Sequence, residues 1–168
     1  MHMLINSIVY SKNEKDAILR AKDVFNSLIK EDIFDYFCLF NDNWASNRWG
    51  KLPLIANIKS NEGKKLVGNG FKNTLDDFKE NITYIRNALN QHSDIELMND
   101  SGFKRKAEYL AQNRGYSVYL YDDNGFPIIT ANHLKNVLTK WKCLYEDENK
   151  HSPYKYYEIY VVPADVHA

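Results

Sequence analysis

The chain begins and ends in strand-forming sequence, and these two distant runs restrict its fold more than anything between them. Met3 to Tyr10 (MLINSIVY) is apolar and β-branched, and Tyr154 to Val162 has the same character. A sheet that uses both must join segments far apart in sequence, and helical periodicity fills the interval. Ala17, Ile18, Ala21, Val24, Phe25, Leu28 and Ile29 form one apolar stripe of a first helix, with Asn13 placed to cap it. Ile33 to Phe40 reads as a second strand, which makes the first forty residues β-α-β. Tyr116 to Tyr121 alternates as a third strand and leads into the turn chemistry of Asp122-Asp123-Asn124-Gly125. A helix carrying Leu134, Val137, Leu138 and Trp141, a polar loop from Glu146 to Pro153 and the final strand complete a second β-α-β unit.

Between the two units the pattern is helical. After an irregular stretch from Asn41 to Lys59, with a short apolar run at Leu54 to Ile58, a long helix is expected from Glu62 to Asn90. Val67, Phe71, Thr74, Leu75, Phe78, Ile82, Ile85 and Leu89 share one of its faces, and Gly68 and Gly70 weaken its first turns. Ser93 and Glu96 have capping-box spacing, so a short helix should start there, break near Ser101-Gly102 and resume from Phe103 to Asn113, with Gly115 as its stop. Two split β-α-β units predict an α+β, ferredoxin-like sandwich over residues 1–168, with strand order 4-1-3-2. A helical insertion at roughly 60–114 then falls between strands two and three. The alternative is another α+β sandwich in which the long helix is central to the core.

Composition sets the class of partner. With 168 residues the chain can bury a core without staples. Its 22 Lys plus Arg balance 22 Asp plus Glu, and this zero net charge argues against nucleic acid or an anionic membrane as the main partner. Cys38 and Cys143 have no metal-ligand spacing around them and read as reduced thiols. The N-terminal run lacks a cationic start and a cleavage site, and no apolar stretch approaches the roughly 18 residues of a membrane span, so the expected location is the cytoplasm. Nucleotide-hydrolase and oxidoreductase signatures such as GxGxxG, a Walker motif, GxSxG or HExxH are absent from the sequence.

Asn47-Arg48-Trp49-Gly50, the run Ser93 to Met98, Ser117 to Gly125 and the ending Val161-Val162-Pro163-Ala164-Asp165-Val166-His167 resemble a family of uncharacterised archaeal proteins over nearly the whole chain. The resemblance implies one domain with a meaningful C-terminus, and it carries no activity, cofactor or catalytic residue.

Three groups of residues stand out chemically. An extended ending puts Asp165 and His167 on one face, and an antiparallel neighbour brings His2 to them. Three ligand-type side chains from the two chain ends suit a divalent metal or acid–base chemistry, although no resident cofactor is required. The stretch Asp42 to Lys51, read as a polar loop, offers Trp44 or Trp49 to stack a planar ligand and Arg48 and Lys51 to neutralise its charge, with Asn47 beside them. The bland alternative folds both indoles over the core and pairs Arg48 with Asp42. Arg114 to Tyr121 partly resembles an RNA-binding strand, but Val118 occupies the position that should stack a base.

Tyrosines recur on the outer strands at Tyr36, Tyr119, Tyr121, Tyr154, Tyr156, Tyr157 and Tyr160, and an open face lined by them would be covered by a second copy, favouring a homodimer. Asp122-Asp123 reads as turn chemistry, and His92, His133, His151 and Lys104-Arg105-Lys106 receive no role. The leading expectation is an oligomeric binder of a small, planar, nucleotide-like anion, held by Trp44 to Lys51 with Tyr119 and Tyr121. A hydrolase built on His2, Asp165 and His167 and a protein-interaction module without ligand are the other two.

Overall fold

The computed structural model describes residues 1–111, 117–148 and 157–167. The strand start at Tyr154 with Tyr156, the helix stop at Gly115, most of the Glu146 to Pro153 loop with His151, and Arg114 to Tyr116 lie outside the described residues. Two compact units are present, Met1–Phe71 with Val118–Ala168, and Lys72–Ser117.

The first unit is built on a sheet of mixed direction. Strand β1 (His2–Ser11) pairs along its whole length with β5 (Glu158–His167), antiparallel, from His2 opposite His167 to Ser11 opposite Glu158. On the far side of β5 lie β2 (Tyr36–Leu39) and β3 (Ala56–Asn57), both antiparallel to it, and on the far side of β1 lies the short parallel β4 (Leu120–Tyr121). The order is β2-β5-β1-β4, with β3 continuing the β2 edge.

This order corrects the expected ferredoxin-like arrangement. The last strand does lie beside the first, and the first beside the Leu120–Tyr121 strand. The second strand, however, sits against the last strand instead of the third. The ending also runs as strand through to His167, so β5 is an interior strand that offers both edges and leaves β2 a partner there. Of the strand expected from Tyr116 to Tyr121, the described residues form strand at Leu120–Tyr121.

Period-two alternation then sorts the core. Met3, Ile5 and Val9 of β1 and Val162, Ala164 and Val166 of β5 face helix α1 (Glu14–Lys30), which returns Ala17, Ala21, Val24, Phe25 and Leu28. Asn13 caps α1 by accepting the Asp16 N–H at 2.9 Å. On the other face, Ile8, Val161 and Leu120 pack with Leu66 and Val67 from the start of α3 (Asn61–Gln91) and Trp141 of α6 (Ala131–Glu148). Strands buried on both faces read as continuous apolar runs, which is why both ends of the chain look alike. No helix among the described residues is long and apolar enough to cross a membrane.

Pro163 is fully buried inside β5, where a missing N–H would ordinarily break a ladder. Its partner Asn6 sends its own N–H to Tyr119 O at 2.9 Å, away from β5, so this is a non-hydrogen-bonded pair. The nitrogen of Pro163 therefore points to the opposite edge. There β2 ends at the partner of Ala164 and β3 begins at the partner of Val161, leaving Pro163 opposite a gap.

Two other expectations change. Asn43–Trp49 is a helix, α2, instead of a loop, with Asp42 accepting the Trp44 N–H at 2.9 Å and Gly50 (φ 77°) leaving it. The described tyrosines divide: Tyr121 and Tyr160 are buried on the α1 side with Tyr119 packed against the same core, while Tyr36 is 46% exposed. The turn at Asp122 forms as expected, its carboxylate accepting from Asn124 and Phe126 and Gly125 taking φ 80°.

The second unit continues α3 into α4 (Asp94–Asn99) and α5 (Ser101–Ala111). Ser93 and Glu96 form the capping box, and Asp100, accepting from Gly102 and Phe103, makes the break before α5. Within it, Lys106 lies 4.3 Å over the Tyr84 ring. The apolar stripe of α3 is divided: Val67 and Thr74 are buried, while Leu75, Phe78 and Leu89 are exposed. The core of the first unit is the β1–β5 pair instead of this helix.

The glycines of α3 give a test of the turn from β3. A Cβ at Gly63 would collide with the Asn57 carbonyl and the Ile58 backbone, whereas one at Gly68 meets open space. Gly68→Ala should stabilise the protein by about 1 kcal/mol through helix propensity. Gly63→Ala should instead destabilise it by about 1–3 kcal/mol despite the same propensity gain. Urea unfolding with unchanged m-values measures both.

Candidate functional site

Three neighbouring strands place alternate side chains in two rows on one sheet face. Register puts His2, His167 and Tyr36 in the first row and Leu4, Asp165 and Cys38 in the second. Helix α2, which follows β2, adds Trp44 and Arg48, four residues apart and so on one helical face. His2, Tyr36, Cys38, Trp44, Arg48 and Asp165 line a cavity of about 320 Å³.

Asp165 is the centre of this arrangement. It is 3% exposed, His2 Nδ1 lies 3.1 Å from its Oδ1, and Arg48 Nε lies 3.6 Å from its Oδ2. A buried carboxylate needs such partners to remain in a folded interior. The contact engages Nδ1 of His2, so Nε2 is the ring nitrogen that Asp165 leaves open. Arg48 reaches Asp165 from one side only, and its side chain is 41% exposed, so its cation also faces outward.

His167 has its own carboxylate. Its Nδ1 lies 2.7 Å from Asp35 Oδ2, its Nε2 lies 3.3 Å from the Met1 amino group, and its ring stacks on Tyr36 at 5.3 Å and 6°. The His2 and His167 rings meet edge to face at 5.0 Å. The expected meeting of His2, Asp165 and His167 thus takes place, but as two separate His–carboxylate pairs. Among the described residues no three His, Cys, Asp or Glu side chains are grouped to hold a metal ion. Arg48 beside Oδ2 also supplies a positive charge where a cation would sit, so these residues do not fit a divalent metal as placed.

The α2 residues divide. Trp44, 74% exposed, and Arg48 line the cavity, while Asn47, Trp49 and Lys51 do not. Arg48 pairs with Asp165, and Asp42 is occupied as the α2 cap. Tyr119 and Tyr121 belong to the opposite edge of the sheet, where burial pushes the Tyr121 phenol far up. They take no part in this cavity.

Tyr36, Cys38 and Asp35 were missed as site residues because their contribution depends on β2 lying against β5. Tyr36 and Cys38 are two apart in the expected Ile33 to Phe40 strand and so share a face, but alternation does not say beside which strand that face lies. The Cys38 thiol is pushed up by burial and by the charges of Asp42 and Asp165. It is a poor nucleophile at neutral pH.

That shift has a measurable consequence. Iodoacetamide should modify the exposed Cys143 first, and Cys38 should react appreciably only as the pH rises above the ordinary thiol range. Asp42→Asn keeps a good helix cap while removing one negative charge, so it should lower the Cys38 pKa and speed its alkylation. Mass spectrometry of the peptides across pH 7–10 reads both rates.

No curated protein and no solved structure matches the chain. A family model described as a domain of unknown function, DUF7995, matches residues 1–168, and the chain belongs to that family.

Proposed function

We propose that the cavity around Asp165 binds a small planar organic anion, with Arg48 as its counter-charge and the exposed indole of Trp44 against its flat part. The observation that carries this reading is the buried carboxylate of Asp165, which holds an imidazole and a guanidinium at one cavity. Preordering both groups before a ligand arrives lowers the cost of binding. The volume of about 320 Å³ suits a compact ligand at the small end of the usual range. A carboxylate or a phosphate monoester with one ring has the required charge and shape. All six lining residues come from one chain, so the reading does not depend on a homo-oligomer.

A second reading is acid–base hydrolysis at the same place, favoured by the His2–Asp165 contact at 3.1 Å. His2 Nε2 would take a proton from water as that water attacks the acyl carbon or phosphorus of an ester, and the bond to the leaving oxygen would break. The imidazolium would return its proton to that oxygen, and Arg48 would balance the negative charge that develops. Binding is the simpler of the two, because it needs only groups already paired in the cavity.

A thermal-shift panel of aromatic carboxylates and nucleoside monophosphates tests the reading. A ligand at a hundred times its Kd should stabilise the protein by about 2.7 kcal/mol. Arg48→Ala should weaken that ligand about tenfold or more, and it should also lower the melting temperature of the free protein, because the buried Asp165 loses one of its two partners. Equal ligand-induced stabilisation of the wild type and Arg48→Ala would place the anion elsewhere. His2→Gln separates the two readings by turnover: the wild type converts the bound ligand and His2→Gln does not only if the ligand is hydrolysed, whatever the change in affinity.

A further inference from the structure

A second cavity opens on the same sheet face at the other end of β1. His2 and Tyr10 are eight residues apart in one strand, about 26 Å at the usual rise, and the two cavities share no lining residue. Here the ring of Tyr10 lies between Trp141, stacked at 5.9 Å and 16°, and Tyr157, tilted at 4.9 Å. Trp141 is only 6% exposed, so this aromatic wall is held by the core behind it. The cavity measures about 330 Å³, and Lys59 and Lys142, both exposed, are among the residues that line it. Glu158, the one carboxylate among the described residues that line it, accepts from Asn57 Nδ2 at 2.7 Å and from Tyr160 at 3.4 Å.

We propose that this cavity is a second binding site and takes a flat aromatic anion. The rings supply an apolar wall against which a planar group packs, and the two lysines supply the charge that an appended carboxylate or sulfonate requires. Among the described residues that line it there is no histidine, and the proposal is one of binding alone. It is independent of the reading given for the Asp165 cavity.

The probe is 1-naphthoate, with the neutral 1-naphthamide as its isostere. The chain has three tryptophans, so Trp44→Phe with Trp49→Phe leaves Trp141 as the only indole, and its fluorescence reports this cavity. Saturable quenching by 1-naphthoate is expected, with the amide about tenfold weaker, a difference of about 1.4 kcal/mol. Lys59→Gln together with Lys142→Gln should reduce 1-naphthoate to the affinity of the amide. Both lysines are exposed, so the fold is expected to tolerate the pair, and a circular dichroism melt checks it. Arg48→Ala, in the other cavity, should leave the quenching constant unchanged. Absence of quenching, equal affinity for acid and amide, or insensitivity to the lysine substitutions overturns the proposal. A loss in Arg48→Ala also overturns it, by assigning the anion to the Asp165 cavity.

Discussion

The antiparallel pairing of β1 with β5 is the constraint on which the sheet-bearing unit depends. Among the described residues these strands are the only long ones in the sheet, and the other strands are segments of two to four residues laid against one of them. Both lie between neighbours and are buried on both faces, so a one-residue slip would exchange the residues facing α1 with those facing Trp141. The same register sets His2 opposite His167 and Leu4 opposite Asp165. Geometry of the cavity and integrity of the core are therefore fixed by one set of pairings.

Asp165 shows how the cavity is tied to that core. It occupies an interior strand between Ala164 and Val166, both fully buried, yet its own side chain is a carboxyl group. Alternation turns it away from α1 and toward the face where β1 contributes an imidazole and α2 a guanidinium. A hydrophobic residue at this position would suit the strand. A carboxylate suits only a strand that has these two partners within reach.

Local rules were the legible part of the sequence. The Asn13 cap, the Ser93–Glu96 capping box, the Asp122–Gly125 turn and the apolar stripe of α1 each depend on residues within a few positions of one another, and each appears where the pattern puts it. The meeting of His2, Asp165 and His167 was also legible, because alternation along an extended ending and one antiparallel neighbour suffice to define it. Strand order was not. Tyr36–Leu39 is short and aromatic enough to pair at either edge, and what decides its place is the free edge of β5 near His167, a tertiary circumstance. Helix α2 was hidden because Asn, Asp, Ser and Gly dominate its surroundings, although Asp42 is a good cap and Trp44 and Arg48 have helical spacing. With β2 misplaced and α2 unseen, the two most suggestive groups of residues appeared as separate sites instead of one.

Pairing the first strand with the last also has a consequence in time. When β1 leaves the ribosome its partner lies roughly 150 residues downstream, which at 5–20 residues per second is roughly 8–30 s of synthesis. Through that interval α1 can cover one face of β1, but the edge destined for β5 has no native occupant. An apolar, β-branched strand with a bare edge is a template for pairing with other chains. Nascent copies of this protein are thus at greatest risk of association just before β5 emerges, and a chaperone that shields β1 would act most usefully in that window.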